Sequence, residues 1–122
     1  MGTVKTYNDL IVWQKAMLLV TDIYLITKKL PKEETYGLTS QIRRSCVSIP
    51  SNIAEGFGRN STNDYIRFLQ ITNGSLYELQ TQLRICINLK YFSNETHNKI
   101  YEQSREIERM LSSLIRKLTV NK

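Results

Sequence analysis

The arginines have the clearest chemical capacity in this sequence, because a guanidinium group can bind a phosphate with two parallel hydrogen bonds. Five of them are candidates for binding nucleic acid: Arg43, Arg44, Arg59, Arg67 and Arg84. The chain has 17 Lys and Arg against 11 Asp and Glu, a net charge of +6, which favours acidic partners. The alternative is a solvated face with scattered ion pairs, such as Glu55 with Arg59 at helical spacing.

The spacings typical of catalytic and metal sites do not occur in the sequence. The single histidine, His97, has no carboxylate or cysteine at metal-ligand spacing, and we expect it to lie on the surface. Neither the Glu-x-x-His pairs of di-iron bundles nor a phosphate-binding loop is found. No serine or cysteine has a histidine base other than His97. The sequence therefore predicts a non-enzymatic protein without a metal or a cofactor.

The cysteines and the apolar stretches indicate a cellular location. Cys46 and Cys86 are too few for a disulfide framework, and both fall on apolar helix faces, where free buried thiols are usual. This usage fits a reducing compartment, and no signal peptide is recognisable. The longest apolar region, residues 10–26, contains Lys15 and Asp22, which argues against a membrane span. We expect a cytoplasmic protein without a membrane partner.

Four amphipathic helices must position these side chains, and we place them at residues 9–29, 38–55, 62–89 and 95–119. The third shows the strongest helical spacing of apolar residues. Strand signals are nearly absent, and the links between helices are short. This pattern predicts an all-α protein, an antiparallel up-down four-helix bundle with a single domain over residues 1–122.

Pro50 interrupts the second predicted helix in the stretch "RRSCVSIPSNIAEGFGR". A proline removes a backbone donor and clashes with the preceding turn, so it either kinks a helix or ends it. The apolar face before it, with Cys46 and Ile49, continues in phase with Ile53 after it. We therefore expect one kinked helix, with Gly56 as its stop signal.

The first helix has more apolar surface than one bundle face requires. The stripe that we expect to face the core is Trp13, Ala16, Met17, Val20, Ile23, Tyr24 and Thr27. A second stripe is Ile11, Leu18, Leu19, Leu25 and Ile26. Because a bundle helix normally keeps one face in water, the second stripe predicts a subunit interface. The alternative is that this helix is simply the most buried one.

Three stretches carry a resemblance to a known family. They are "LIVWQKAM" at residues 10–17, "YGLTSQIRRSCVSIPSNIAEGFGR" at 36–59 and "YIRFLQITNGSLYELQTQL" at 65–83. They resemble a bacterial four-helix-bundle family that includes proteins encoded in intervening sequences of large-subunit ribosomal RNA genes. The accessory variability protein of diversity-generating retroelements is a relative. The resemblance covers nearly the whole chain.

The resemblance implies a homopentameric ring with basic surfaces that bind nucleic acid. It also implies a protein partner in the retroelement relative, which contacts a reverse transcriptase. Two hypotheses follow for this chain. The first is a homo-oligomer that binds RNA or DNA, with RNA preferred, through phosphate contacts. The second is a scaffold that docks a partner such as a polymerase or reverse transcriptase.

Overall fold

The computed structural model describes residues 3–121, and over these residues the chain forms four long helices and no strand. The helices are α1 (Ile11–Thr27), α2 (Leu38–Phe57), α3 (Thr62–Asn88) and α4 (Asn94–Val120). Each helix contributes apolar side chains to one shared core. The all-α four-helix prediction is confirmed.

A short 3-10 turn, Tyr7–Asp9, delays the start of α1 by two residues relative to the prediction. Thr6 caps this turn with its hydroxyl, and the Asp9 carboxylate accepts backbone hydrogen bonds from Lys5 and Thr6. These hydrogen bonds lower the pKa of Asp9. Residues 7–9 therefore form a separate turn, and the first residue of α1 is Ile11.

Helix α2 continues through Pro50 and past Gly56. Gly58 follows its last residue and donates its backbone N–H to carbonyls of the final turn, so the prediction that Gly56 stops the helix is wrong. Pro50 is buried inside the helix and does not end it. The bend at Pro50 stays a prediction.

Small side chains allow α2 and α3 to pack closely. Ser45 Oγ lies 3.0 Å from Gln82 Oε1 toward one end of the pair. Toward the other end, a Cβ added at Gly56 would lie 2.7 Å from Phe68 Cβ. Residue numbers rise along α2 as they fall along the facing side of α3, so these two helices run in opposite directions. Gly56 is required at this close approach, because any side chain there would collide with α3.

The face that α1 turns to the core differs from the predicted one. Its buried residues are Val12, Ala16, Leu19, Ile23 and Thr27. Of the predicted core stripe, Met17 and Tyr24 are exposed, and Trp13 and Val20 are only partly buried against the core. Ala16, Ile23 and Thr27 lie in the core as predicted. The other four residues of the stripe were misplaced because α1 is apolar on both sides. Spacing alone therefore did not determine its rotation about its own axis.

Candidate nucleic-acid interface

Arg43 projects from the first half of α2 and is held against the end of α1. Its Nε donates to Thr27 Oγ1 at 3.0 Å, and one Nη2 hydrogen points to the Tyr24 carbonyl at 3.4 Å. The guanidinium carbon lies 4.5 Å from the centroid of the Tyr24 ring. Three of the five N–H donors remain without a protein acceptor among residues 3–121. Arg43 is therefore an oriented cation with donors left for an anion.

Arg44 is exposed on the outer side of α2, next to Arg43. It lines a polar pocket of about 240 Å³ between α2 and α3, together with Gln41, Ser45, Glu78 and Gln82. Within the part of the chain that the structure describes, neither Arg43 nor Arg44 forms an ion pair with a carboxylate. We call Arg43 and Arg44 the start pair, because they lie near the start of α2.

Arg59 and Arg67 lie at the other end of the α2–α3 pair, and both approach one aromatic ring. Their guanidinium carbons are 4.6 and 5.6 Å from the centroid of Phe68. Arg59 forms an ion pair with Glu55 at 2.7 Å, as predicted, and Arg67 approaches Asp64 at 3.8 Å. We call Arg59 and Arg67 the Phe68 pair. A carboxylate offsets each of these cations, so the Phe68 pair attracts an anion less strongly than the start pair does.

Arg84 belongs to neither pair. It is exposed, and it follows Tyr77 and Gln80 by seven and four residues on the same side of α3. The side chains of Tyr77 and Gln80 contact Glu108 of α4 at 3.4 and 3.2 Å, so this side of α3 lies toward α4. The structure therefore divides the five predicted arginines among three places.

The second stripe of α1 is exposed in part. Ile11, Leu18 and Leu25 are 55%, 62% and 54% exposed, and they follow one another at seven-residue intervals. Leu19 is fully buried in the core, so its assignment to this surface stripe is wrong, and Ile26 is partly buried against the core. The rotation of α1 about its own axis, which spacing alone did not determine, turns Leu19 toward the core.

The titratable groups of the core do not form a reactive site. Burial raises the pKa of the Cys46 thiol to about 12 and that of Cys86 to about 11, so both are thiols at neutral pH. His97 is buried and stacks on Tyr101, contrary to the prediction of a surface histidine. Among residues 3–121, no three His, Cys, Asp or Glu side chains are grouped as metal ligands.

Two tyrosines near the start pair were missed by sequence reasoning. Tyr24 was assigned to the core, and Tyr36 was treated only as part of a motif. Together with Arg43 and Arg44 they line a concave surface of about 500 Å³. The available signal was the link between α1 and α2, where Tyr36 stands among polar and charged residues with no apolar helical spacing.

Comparisons with known proteins agree with this fold. The model of the family described as 23S rRNA-intervening sequence protein matches residues 8–113. A crystal structure of a Bacteroides thetaiotaomicron protein of unknown function, from the S23 ribosomal protein family, is similar with a TM-score of 0.80. That protein is 30% identical, and the match covers 86% of this chain and 98% of that one. No curated protein matches. No helix among the described residues is long and apolar enough to cross a membrane.

Proposed function

We propose that this chain, which belongs to the 23S rRNA-intervening sequence protein family, is a non-enzymatic protein that binds nucleic acid, with RNA preferred. The observation that carries the proposal is the start pair, two adjacent arginines that form no ion pair with a carboxylate of residues 3–121, although Glu78 lines the pocket beside Arg44. Neither the name of the family nor that of the Bacteroides protein refers to a catalytic activity.

The two arginines of the start pair suit a phosphate in different ways. Arg43 is already oriented by Thr27 and Tyr24, so it loses little conformational freedom when an anion binds. Arg44 is exposed and can adjust to the position of a second phosphate. Such contacts fix position on the backbone and carry no base preference. The proposed binding is therefore tolerant of sequence and weakened by salt.

We propose further that the chain assembles with copies of itself through the exposed stripe of α1. Ile11, Leu18 and Leu25 present three large apolar side chains in one row, which water solvates poorly. Five copies is the number that the family resemblance implies. In a ring every start pair is repeated, so a modest charge per chain becomes a strong field on one face. Assembly and nucleic-acid binding would then reinforce each other.

The binding proposal is tested by measuring affinity for an RNA hairpin with a single-stranded flank, and for duplex DNA, across a salt series. We expect the double variant R43A/R44A to bind about tenfold more weakly and to reduce the salt slope by roughly one per arginine. The matched control is R59A/R67A, which removes the same charge from the Phe68 pair. We expect that control to stay within about threefold of the unmodified protein.

Two results would overturn the binding proposal. One is no binding of RNA or DNA even at low salt. The other is equal weakening by the two double variants, which would show that only net charge matters. Circular dichroism on each variant separates loss of binding from loss of folding.

The assembly proposal is tested by the double variant L18S/L25S, measured by light scattering. We expect smaller particles with an unchanged helical signal, because both side chains are exposed in the single chain. The control is Leu19→Ala, which opens a core cavity and lowers the free energy of unfolding by about 2–5 kcal/mol. Particles of unchanged size for L18S/L25S would contradict the proposal, as would a monomeric unmodified protein.

The alternative function is a scaffold that docks a partner protein such as a polymerase. One observation favours it. An apolar groove of about 360 Å³ lies between α1 and α2, and its lining includes Trp13, Met17, Val20, Val47 and Pro50. Val47 also lines the concave surface of the start pair, so apolar and basic surfaces are continuous there. Salt-sensitive RNA binding supports the first function, whereas binding only to a protein supports this one.

A further inference from the structure

Among the described residues, Tyr36 is the most exposed of the large hydrophobic side chains, with 97% of its surface accessible. An aromatic ring exposed to this degree has its faces available for stacking. Tyr36 lies in the link between α1 and α2, directly before Gly37. Tyr36 lines the same concave surface as the start pair.

The backbone that carries Tyr36 is held in place, although the ring itself is free. The Glu34 carboxylate accepts hydrogen bonds from the Leu38 backbone N–H at 3.1 Å and from the Tyr91 hydroxyl at 3.0 Å. A Cβ at Gly37 would lie 2.8 Å from Glu34 Oε1, so the turn is closely packed. These contacts tie the link to the start of α2 and to the residues after α3. Tyr36 is therefore presented from a fixed position.

The surroundings of Tyr36 combine aromatic, cationic and hydroxyl groups. The concave surface of about 500 Å³ is lined by Tyr24, Arg43, Arg44, Thr39 and Ser40 in addition to Tyr36. Its volume lies within the range of pockets that hold small ligands. Neither arginine forms an ion pair among the described residues, and Glu78 lines the pocket beside Arg44. The adjoining link adds lysines at positions 28, 29 and 32 against glutamates at 33 and 34. One of those glutamates, Glu34, is already engaged as described above.

We infer that this surface binds an unpaired nucleotide, with its base stacked on Tyr36 and its phosphate on Arg44 and Arg43. The inference rests on the proposed nucleic-acid function and specifies its substrate as single-stranded nucleic acid or an unpaired loop. Bases inside a duplex cannot offer a free face to Tyr36, whereas an unpaired base can. Stacking accepts every base, since each has a π face, so it adds affinity without sequence preference.

The test uses a ten-nucleotide single-stranded RNA that contains 2-aminopurine, and a duplex of the same sequence. We expect the unmodified protein to prefer the single strand and to quench the probe fluorescence as the base stacks. Tyr36→Ala should weaken single-strand binding by about tenfold and abolish the quenching, with little change for the duplex. Tyr36→Phe keeps the ring and should retain both properties.

The matched control is Tyr77→Ala, which removes another exposed tyrosine, on α3 beside Glu108. We expect it to bind both probes like the unmodified protein. Tyr36→Ala binding the single strand as tightly as the unmodified protein would overturn the inference while leaving the proposed function standing. Equal losses for single strand and duplex would also overturn it. If the unmodified protein binds neither probe, the nucleic-acid function itself fails.

Discussion

The start pair lies near the start of α2 and the Phe68 pair where α2 ends and α3 begins, and the charges of the two pairs are available to different degrees. Arg59 and Arg67 each have a carboxylate within 4 Å and share the ring of Phe68. Arg43 instead contacts a hydroxyl, a carbonyl and an aromatic ring. The number of arginines is the same at both ends. The difference shows that the neighbours of an arginine, and not its presence, decide whether it can bind an anion.

The contacts of Arg43 have a further physical reason. Its acceptors, Thr27 Oγ1 and the Tyr24 carbonyl, belong to the last turn of α1. The end of a helix carries a partial negative charge, which favours a nearby cation. Arg43 thus stabilises the end of α1, and no ion pair with a carboxylate offsets its positive charge. The Phe68 pair has no equivalent, because its partners are ionised side chains one helical turn away.

The largest expected effect is a loss of stability when the close contact between α2 and α3 near the Phe68 pair is disrupted. Gly56→Ala places a methyl group 2.7 Å from Phe68 Cβ and 3.2 Å from the Tyr65 ring, so the helices must move apart. We expect the free energy of unfolding to fall by about 1–3 kcal/mol, measured by urea denaturation. Both arginines of the Phe68 pair contact the Phe68 ring, so a shift of Phe68 in Gly56→Ala should disturb their positions. Nucleic-acid binding by the start pair should be unchanged.

Gly74 provides the matched control for that substitution. It lies inside α3, and a Cβ added there meets no atom within 4 Å. Gly74→Ala should therefore raise the free energy of unfolding by about 0.5–1 kcal/mol, because alanine favours the helix over the unfolded chain. A stabilising Gly56→Ala would show that α2 and α3 do not approach as closely as described.

The second effect concerns what each arginine contributes to stability. Arg43→Ala loses the hydrogen bond to Thr27 and the contact with the Tyr24 ring, and we expect a loss of about 1–2 kcal/mol in unfolding free energy. Arg59→Ala loses one exposed ion pair and the contact with the Phe68 ring, and should cost at most about 1 kcal/mol. Thermal unfolding of the two variants at equal salt measures the difference. Equal losses would mean that Arg43 is not anchored to α1.

The smallest effect removes the carboxylates that offset the Phe68 pair. In the double variant E55Q/D64N, the two arginines keep their positions over Phe68 but lose the opposing charges. We expect RNA binding to strengthen by about two- to fourfold at low salt, with the gain disappearing as salt rises. Fluorescence anisotropy across a salt series is the measurement. Unchanged affinity would show that the Phe68 pair lies outside the bound nucleic acid.

Much of the fold was predictable, because it depends on spacing along the chain. The four helices and the Glu55–Arg59 ion pair both depend on residues that are close in sequence. Turn chemistry explains the errors at the helix ends. Gly56 was taken as a stop signal, whereas Gly58 ends α2 and Gly56 serves the contact with α3.

The candidate site was predictable only as a set of residue types. Sequence reasoning selected Arg43 and Arg44 but did not distinguish them from Arg59, Arg67 and Arg84. The contacts that orient Arg43 come from residues 16 and 19 positions away. Tyr36 was not selected at all, because no helical period includes it.

The sequence by itself determined that the protein is helical, basic and a member of its family, since those properties depend on local spacing, composition and motif. Only the tertiary structure decided which side of α1 faces the core, with Leu19 inside and Leu18 outside. It also decided that Arg43 and Arg44 form no ion pair among the described residues and line one concave surface with Tyr36. Helical spacing defines angles within one helix, whereas rotation and pairing between helices depend on the surfaces that pack together.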